Sequence, residues 1–184
     1  MRLTGTVALC VFVAAGSGCA AYTRVDRGVH DLGSYTIETP IEWNKRSGKP
    51  TVWTVHGVGL DYLLHFNAVK SGKKMFPRTP REMGRPFVAT MRETEVVDLF
   101  VENLAMRGTQ AVRLLQLQPA SFGPWRGFSF DLEFESVGGL PMRGTGTGAI
   151  IADELHLLFY AGAREHYFDR HRADVQAIFA SIAR

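Results

Sequence analysis

The chain has 184 residues, of which 46% are hydrophobic and 21% charged, and its formal net charge is +3. These fractions are close to the globular average and exclude a wholly disordered chain. Because the only long apolar stretch lies at the N-terminus, a protein with several membrane spans is also excluded. The mild charge selects no partner, and no nucleic-acid partner is expected.

Residues 1–18 have the parts of a secretory signal peptide. Met1-Arg2 gives a positive start, an apolar run extends from Val7 to Ala15, and small residues precede Cys19. The apolar run is about half of the roughly 20 residues that a membrane-spanning helix needs. Export followed by cleavage is therefore the prediction, and a permanent anchor helix is the weaker alternative.

Ser17-Gly18-Cys19 resembles the lipobox of bacterial lipoproteins, in which small residues precede a cysteine that becomes lipidated. Gly16 departs from that pattern, which has an aliphatic residue there. Since Cys10 lies inside the signal, Cys19 would be the only thiol of the mature chain, and lipidation would explain an unpaired cysteine in an exported protein. The resemblance implies a palmitate-bearing membrane anchor, and Ala20 after the cysteine favours the outer membrane, facing the periplasm. Cleavage nearby to give a soluble periplasmic protein is the alternative.

Residues 19–32 are polar and without periodicity, which indicates a tether, and residues 33–184 form a single predicted domain. Three runs rich in β-branched and aromatic residues predict the first strands, at Tyr35–Thr39, Thr51–His56 and Tyr62–Phe66. Pro40 stops the first of these, and Gly57-Val58-Gly59 predicts a hairpin turn between the other two.

A long loop is expected from Ala68 to Ala89, because three prolines keep it out of helix and sheet. It carries one acid, Glu82, and six basic residues, which are Lys70, Lys73, Lys74, Arg78, Arg81 and Arg85. We interpret these cations as a docking loop for an anionic envelope component or an acidic protein partner. A solvated surface loop is the alternative.

Five apolar residues at helical spacing predict the first helix: Val96, Val97, Phe100, Val101 and Leu104. Thr90 and Glu93 suggest a capping box at its start, and Gly108 suggests its end. Four strands should follow. The first contains Val112, Leu114 and Leu115 and ends at Pro119, and the best of them alternates Phe128, Phe130, Leu132 and Phe134 with polar residues.

Gly138-Gly139 predicts a turn into the last two strands, Met142–Ile151 and Leu155–Ala161, joined by a tight connection at Asp153-Glu154. A second amphipathic helix then presents four apolar residues on one face: Val175, Ile178, Phe179 and Ile182. The pattern predicts an α+β fold, a mostly antiparallel sheet of about seven strands covered by two helices.

This layout resembles the PsbP/Mog1-like fold, an antiparallel sheet between helices. The local features that match it are Tyr35–Pro40 followed by Trp43 in the first hairpin, the start of the strand at Gly123–Phe128, and Phe179–Ile182 in the last helix. The resemblance implies an α/β/α sandwich over the mature chain. It also implies an accessory or binding role, because most members of that fold are non-enzymatic and some bacterial ones are lipoproteins.

Two glycine-containing segments resemble functional motifs, but each also has a purely structural explanation. Gly144–Gly148 has the wrong spacing for a nucleotide loop, so we expect a strand whose bare face packs closely on a helix, or otherwise meets a ligand. His56–Gly59 is faintly similar to an esterase oxyanion loop, but Ser121 does not stand in a nucleophile motif.

Two further groups of ionisable residues are present. His166, Asp169 and His171 have the chemistry of zinc ligands, yet we expect Asp169 to cap the helix and the histidines to face solvent. Asp131, Glu133 and Glu135 share one strand face, which indicates a solvated surface more than an acid–base pair. No catalytic residue, metal site or cofactor is predicted.

The function that these observations favour is a membrane-tethered, non-catalytic binding or assembly module of the bacterial envelope. The alternative is an envelope enzyme of the hydrolase class whose site is assembled only in three dimensions.

Overall fold

The computed structural model describes residues 22–77 and 83–184. Within them the strands are β1 (Thr23–Val25), β2 (Gly28–Asp31), β3 (Thr36–Thr39), β4 (Trp43–Arg46), β5 (Thr51–Thr54), β6 (Asp61–Lys70), β7 (Gln110–Phe122), β8 (Trp125–Glu135), β9 (Pro141–Ile151) and β10 (Glu154–Ala163). The helices are α1 (Glu93–Met106) and α2 (Tyr167–Ala180). Neither of these helices is long and apolar enough to cross a membrane. The predicted signal peptide and Cys19 lie outside the described residues.

Eight of the strands form one sheet, in the order β1-β4-β5-β6-β10-β9-β8-β7, and every neighbouring pair is antiparallel. The other two, β2 and β3, form a separate antiparallel ribbon. The α+β prediction of a mostly antiparallel sheet with two helices is therefore confirmed. The main sheet has one strand more than expected, and the ribbon was not foreseen.

Helix α1 covers one face of the sheet. Four of the five apolar residues that predicted this helix are buried, and Val101 is partly buried. The ring of Phe100 contacts those of Phe159 and Phe130, with centroids 4.7 and 5.7 Å apart. The four alternating apolar residues of β8 point to this same face, as their spacing predicted. This layer is the larger of the two cores.

Helix α2 and the β2–β3 ribbon cover the opposite face. Val175 and Ile178 are fully buried there against two tryptophans, Trp43 of β4 and Trp53 of β5. The end of the chain closes this layer, because Ala183 and Thr36 of β3 exchange backbone hydrogen bonds. The structure is thus the predicted three-layer sandwich with the sheet in the middle.

Strands stand where a tether was expected, since β1 and β2 lie within residues 19–32. These two strands and β4 were not predicted, because each has only three or four residues and is rich in polar side chains. Trp43 does not continue a hairpin with β3; it begins β4, which pairs with β1 and β5.

Strand β7 runs through Pro119, where the sequence predicted its end. Proline lacks the backbone donor, but β7 is the edge of the sheet and needs hydrogen bonds on one side only. Two register shifts interrupt its pairing with β8, and Leu114 and Leu115 are each 42% exposed. The apolar residues that predicted this strand therefore lie on an irregular, half-exposed edge.

The start of α1 and the β9–β10 turn lie one or two residues away from their predicted positions. At the start of α1 the backbone N–H of Arg92 donates to Glu95, 2.8 Å away, so the cap does not use Thr90 and Glu93. The tight β9–β10 turn is Ala152-Asp153, both with positive φ, and Glu154 already belongs to β10. Gly108, with φ of +90°, follows the end of α1 as predicted.

Candidate functional site

The β5–β6 loop is built around the carboxylate of Asp61, which is fully buried. Its Oδ1 accepts hydrogen bonds from the Thr54 hydroxyl and the Val55 N–H, at 2.9 and 2.7 Å, and its Oδ2 accepts one from the His56 N–H at 3.0 Å. Gly57, with φ of +98°, then turns the chain. The glycines that suggested a hairpin turn do form one, and Asp61 holds its two ends together.

The same carboxylate orients the imidazole of His56. Nδ1 of His56 lies 2.6 Å from Oδ2 of Asp61, and the ring also packs edge-on against Tyr167, with centroids 5.1 Å apart. The side chain of His56 is 25% exposed, so solvent reaches it. A carboxylate that fixes one ring nitrogen in this way leaves the other nitrogen for a ligand.

A second imidazole, His171 of α2, lies beside the first. The two ring centroids are 5.2 Å apart, and Nδ1 of His171 lies 3.3 Å from a carboxylate oxygen of Asp174. His171 is 8% exposed, and its Nε2 is buried with no hydrogen-bond partner among the described residues. An unpaired polar atom in such a place is costly unless a ligand occupies it.

Metal-ligating atoms therefore converge here. One such atom from each of His56, Asp61 and His171 lies within 4.8 Å of the others. The surroundings are negative as well. Burial raises the pKa of the nearby Tyr160 hydroxyl, and the carboxylates of Asp61, Asp174 and Asp169 raise it further. Such an environment favours a cation.

The zinc-ligand trio suggested by the sequence is not the trio that the structure assembles. His171 takes part, but His166 and Asp169 are exposed at the start of α2 and lie outside the cluster. The expected cap is also absent, because His166 holds the N-cap position and Asp169 lies within the first turn. The expectation that these histidines face solvent fails for His171, whose helix position points it at the sheet.

The bare face of β9 is filled by aromatic rings. A Cβ on Gly146 would lie 2.5 Å from Phe130 Cζ, and one on Gly148 would lie 3.0 Å from Phe128 Cζ. At Gly144 the neighbour is Phe159. Side chains of the adjacent strands, and not a helix directly, therefore occupy the space that the sequence left open, and α1 packs on top of them. This face is core.

The carboxylates of β8 are engaged by arginines. Glu133 accepts a hydrogen bond from Arg113 and lies 3.3 Å from Arg143, and the Arg113 hydrogen bond is the main cause of its lowered pKa. Asp131 is half-buried and Glu135 exposed. The row forms part of a charged surface, as its alternation indicated.

Two cations of the proposed docking loop are paired with carboxylates of the domain. Arg85 forms a bidentate contact with Glu102 of α1, at 3.0 and 3.2 Å, and Lys70 lies 3.9 Å from Glu154. Lys74 donates to the carbonyl of Met83. Lys73 is exposed, and Arg78 and Arg81 lie outside the described residues. Docking through this loop stays a prediction.

That loop is also less detached than its prolines suggested. Met75, Phe76 and Phe87 are at most 4% exposed and belong to the core on the α1 side. These apolar anchors hold the described parts of the loop against the domain.

No protein-family model matches the chain, and no curated protein matches it. In structure it is similar to the cyanobacterial PsbP (CyanoP) of Synechocystis sp. PCC 6803, known from a solution structure. The TM-score is 0.53 at 16% sequence identity, covering 97% of this chain and 98% of that chain. The chain therefore has a PsbP-like α+β fold, as the resemblance implied, and at this identity the likeness establishes the fold alone.

Sequence reasoning missed His56 and Asp61 as members of a site. His56 was considered only with the glycines that follow it, and Asp61 was not considered at all. The signal that was present is a histidine and an aspartate five residues apart across a predicted tight turn, because such a turn brings its two ends together. The approach of α2 to that turn is a tertiary contact that no spacing reveals.

Proposed function

We propose that the protein is a non-catalytic binding module of the bacterial envelope, tethered by a lipid at Cys19, that holds a transition-metal ion at His56 and His171. The observation that carries this proposal is the pair of neighbouring imidazoles, each with a carboxylate at Nδ1, in which Nε2 of His171 is buried and unpartnered. Histidines that bind metals commonly have such a carboxylate at their other nitrogen.

The chemistry of these groups favours a late first-row divalent ion. Imidazole suits Zn²⁺, Ni²⁺ and Cu²⁺, and the surrounding carboxylates stabilise positive charge. Asp61 and Asp174 would orient the rings, and water would complete the coordination. The exposed part of His56 provides the access path, because Asp61 itself is enclosed.

Calorimetric titration of the purified protein with Zn²⁺ tests the metal proposal. The expected result is binding of one ion per chain, together with a rise in the unfolding temperature at saturating metal. His56→Ala and His171→Gln should each weaken binding at least tenfold. Binding should also weaken on acidification, since a protonated imidazole cannot be a ligand.

The matched control is His166→Gln, because His166 is exposed and lies outside the cluster. This variant should bind Zn²⁺ as the wild type does. Loss of binding in His166→Gln, or no loss in His56→Ala, would contradict the proposal. Circular dichroism of each variant shows whether lost binding reflects lost folding.

The tether is tested separately. Cys19→Ala should move the protein from the membrane fraction to the soluble periplasm and abolish labelling by a clickable fatty acid. A wild-type protein that is fully soluble with an intact thiol would contradict lipidation. Because this variant leaves the histidine cluster intact, its zinc affinity should be unchanged.

An envelope hydrolase is the second candidate, and the Asp61–His56 pair is the observation that favours it. A carboxylate behind an imidazole is two-thirds of a nucleophilic triad. In the described part of the chain, however, the hydrogen bonds of the His56 ring are made to Asp61 and to no hydroxyl or thiol. The metal proposal needs only the two histidines and their carboxylates, whereas a hydrolase would also need a nucleophile beside His56. We therefore rank the metal proposal first.

A further inference from the structure

A second concave site lies on the α1 side of the sheet, a cleft of about 640 Å³. One wall is the β4–β5 turn and the other is the end of α1, and Val137 from the β8–β9 turn closes one side. Clefts of this size are typical of small-molecule sites, which combine an apolar floor with a few polar groups. It uses none of the residues of the histidine cluster.

The floor of the cleft is apolar and recessed. Val52, Leu64 and Leu104 line it and are 5–7% exposed, and the ring of Phe76 is 4% exposed. Tyr62 lies partly buried among them, and burial raises the pKa of its hydroxyl, so the group stays a neutral donor. The lining therefore offers both apolar and polar surface, as an amphiphile requires.

The rim carries three cations and no acid. Arg46, Lys49 and Arg107 all line the cleft and are exposed, and none of them forms an ion pair within residues 22–77 and 83–184. The guanidinium of Arg107 lies over the Phe76 ring, 4.6 Å from its centroid, so the charge sits directly above the apolar floor. Guanidinium groups pair well with carboxylates.

We propose that this cleft binds a single-chain amphiphile with an anionic head, such as a free fatty acid. The alkyl chain would lie on the recessed floor and the carboxylate would meet the three rim cations. A free amphiphile fits better than a bilayer surface, because a flat membrane cannot reach a floor that lies below the rim.

Calorimetric titration of the full-length Cys19→Ala protein tests this with probes that share one alkyl chain. Decanoate, below its micelle concentration, should bind one per chain and at least tenfold more tightly than decyltrimethylammonium or decyl maltoside. Acetate, the head without a chain, should show no binding. Equal affinities for the three decyl compounds would overturn the charge argument.

Substitutions of the rim cations test whether the ligand binds at the rim. The triple change Arg46→Gln, Lys49→Gln and Arg107→Gln should weaken decanoate binding at least tenfold, and Arg172→Gln, an exposed cation of α2, should leave it unchanged. If the triple variant does not fold, Val137→Glu decides, because that side chain is 71% exposed and adds a negative charge at the cleft. Unaltered binding in Val137→Glu would overturn the site.

A final arm distinguishes the free amphiphile from a membrane. Vesicles containing phosphatidylglycerol should not bind through these cations, so the triple variant and the Cys19→Ala parent should bind vesicles equally. Vesicle binding that needs the three cations and is not displaced by decanoate would assign the rim to a membrane surface and overturn the proposal.

Discussion

His65 of β6 is a fully buried histidine without a hydrogen bond at either ring nitrogen among the described residues. Its ring packs on Trp53, with centroids 4.3 Å apart. Burial, together with smaller electrostatic effects of His30 and Lys45, lowers its pKa to about 3. The folded protein therefore keeps this ring neutral at pH values where an unfolded chain would protonate it.

The free energy of unfolding should consequently fall on acidification. Between pH 6.5 and about 3 the unfolded state binds a proton at residue 65 and the folded state does not, so stability is full above pH 6.5 and decreases below it, by about 5 kcal/mol in the limit. Urea titrations at pH 7 and pH 4.5 measure this fall. His65→Phe should flatten it, whereas His166→Phe, at an exposed position, should not. Parallel pH profiles for His65→Phe and wild type would contradict the assignment.

Gly146 tests how tightly the β9 face is filled. Gly146→Ala should destabilise the protein by about 1–3 kcal/mol, because the added methyl group meets the Phe130 ring at 2.5 Å. Gly59→Ala is the control, since a Cβ at that position has no neighbour within 4 Å. Thermal unfolding of both variants measures the difference. Equal losses of stability would mean that the β9 face can accommodate an added methyl group.

At the scale of the element, β8 offers the sharpest test of register. Phe130 is 1% exposed and Asp131, its neighbour on the opposite face, is half-buried. Phe130→Ala should cost about 3–5 kcal/mol of stability, and Asp131→Ser less than about 1 kcal/mol. Denaturant unfolding of the two variants measures the difference. A larger loss from Asp131→Ser would require the strand to be shifted by one residue.

Elements with strong periodicity were predictable from sequence, and those without it were not. The alternation in β8 and the helical spacing in α1 both report a buried face, so both predictions are confirmed. The predicted end of β7 at Pro119 was wrong, because the sequence does not say which strand lies at an edge of the sheet. The short strands β1 and β2 carry too few residues for any period to show.

The candidate site was less predictable than the fold for a related reason. Asp61 and His56 are near neighbours in sequence, but His171 comes from the far end of the chain and reaches them only because α2 packs on that sheet face. The cations of the cleft are likewise spread over the β4–β5 turn and the end of α1. Local sequence patterns predict which residues are buried, but they do not predict which distant residues come together in one site.

At the scale of the whole molecule, one sheet serves two cores. Along β10, Leu157 and Phe159 face α1, while Leu158 and Tyr160 face α2. The histidine cluster and the cleft share the β5–β6 loop, which gives His56 to the first and Val58 to the second. The two proposed ligands would thus bind at opposite faces of the same turn.

If the proposed lipid at Cys19 is present, the order of the strands would set the orientation of the domain on the membrane. With the lipid that we propose at Cys19, β1 begins four residues later, a reach of at most about 14 Å, so the β1 edge stays close to the bilayer. The other edge, β7, lies seven strand spacings away, about 34 Å in a sheet of this kind. Copies anchored in this way would be concentrated in the plane of the membrane, and exposed strand edges are where they could pair with one another. The register shifts and Pro119 make the β7 edge a poor template for another strand, so the proline that suggested a premature end of β7 would also disfavour edge-to-edge pairing between adjacent copies.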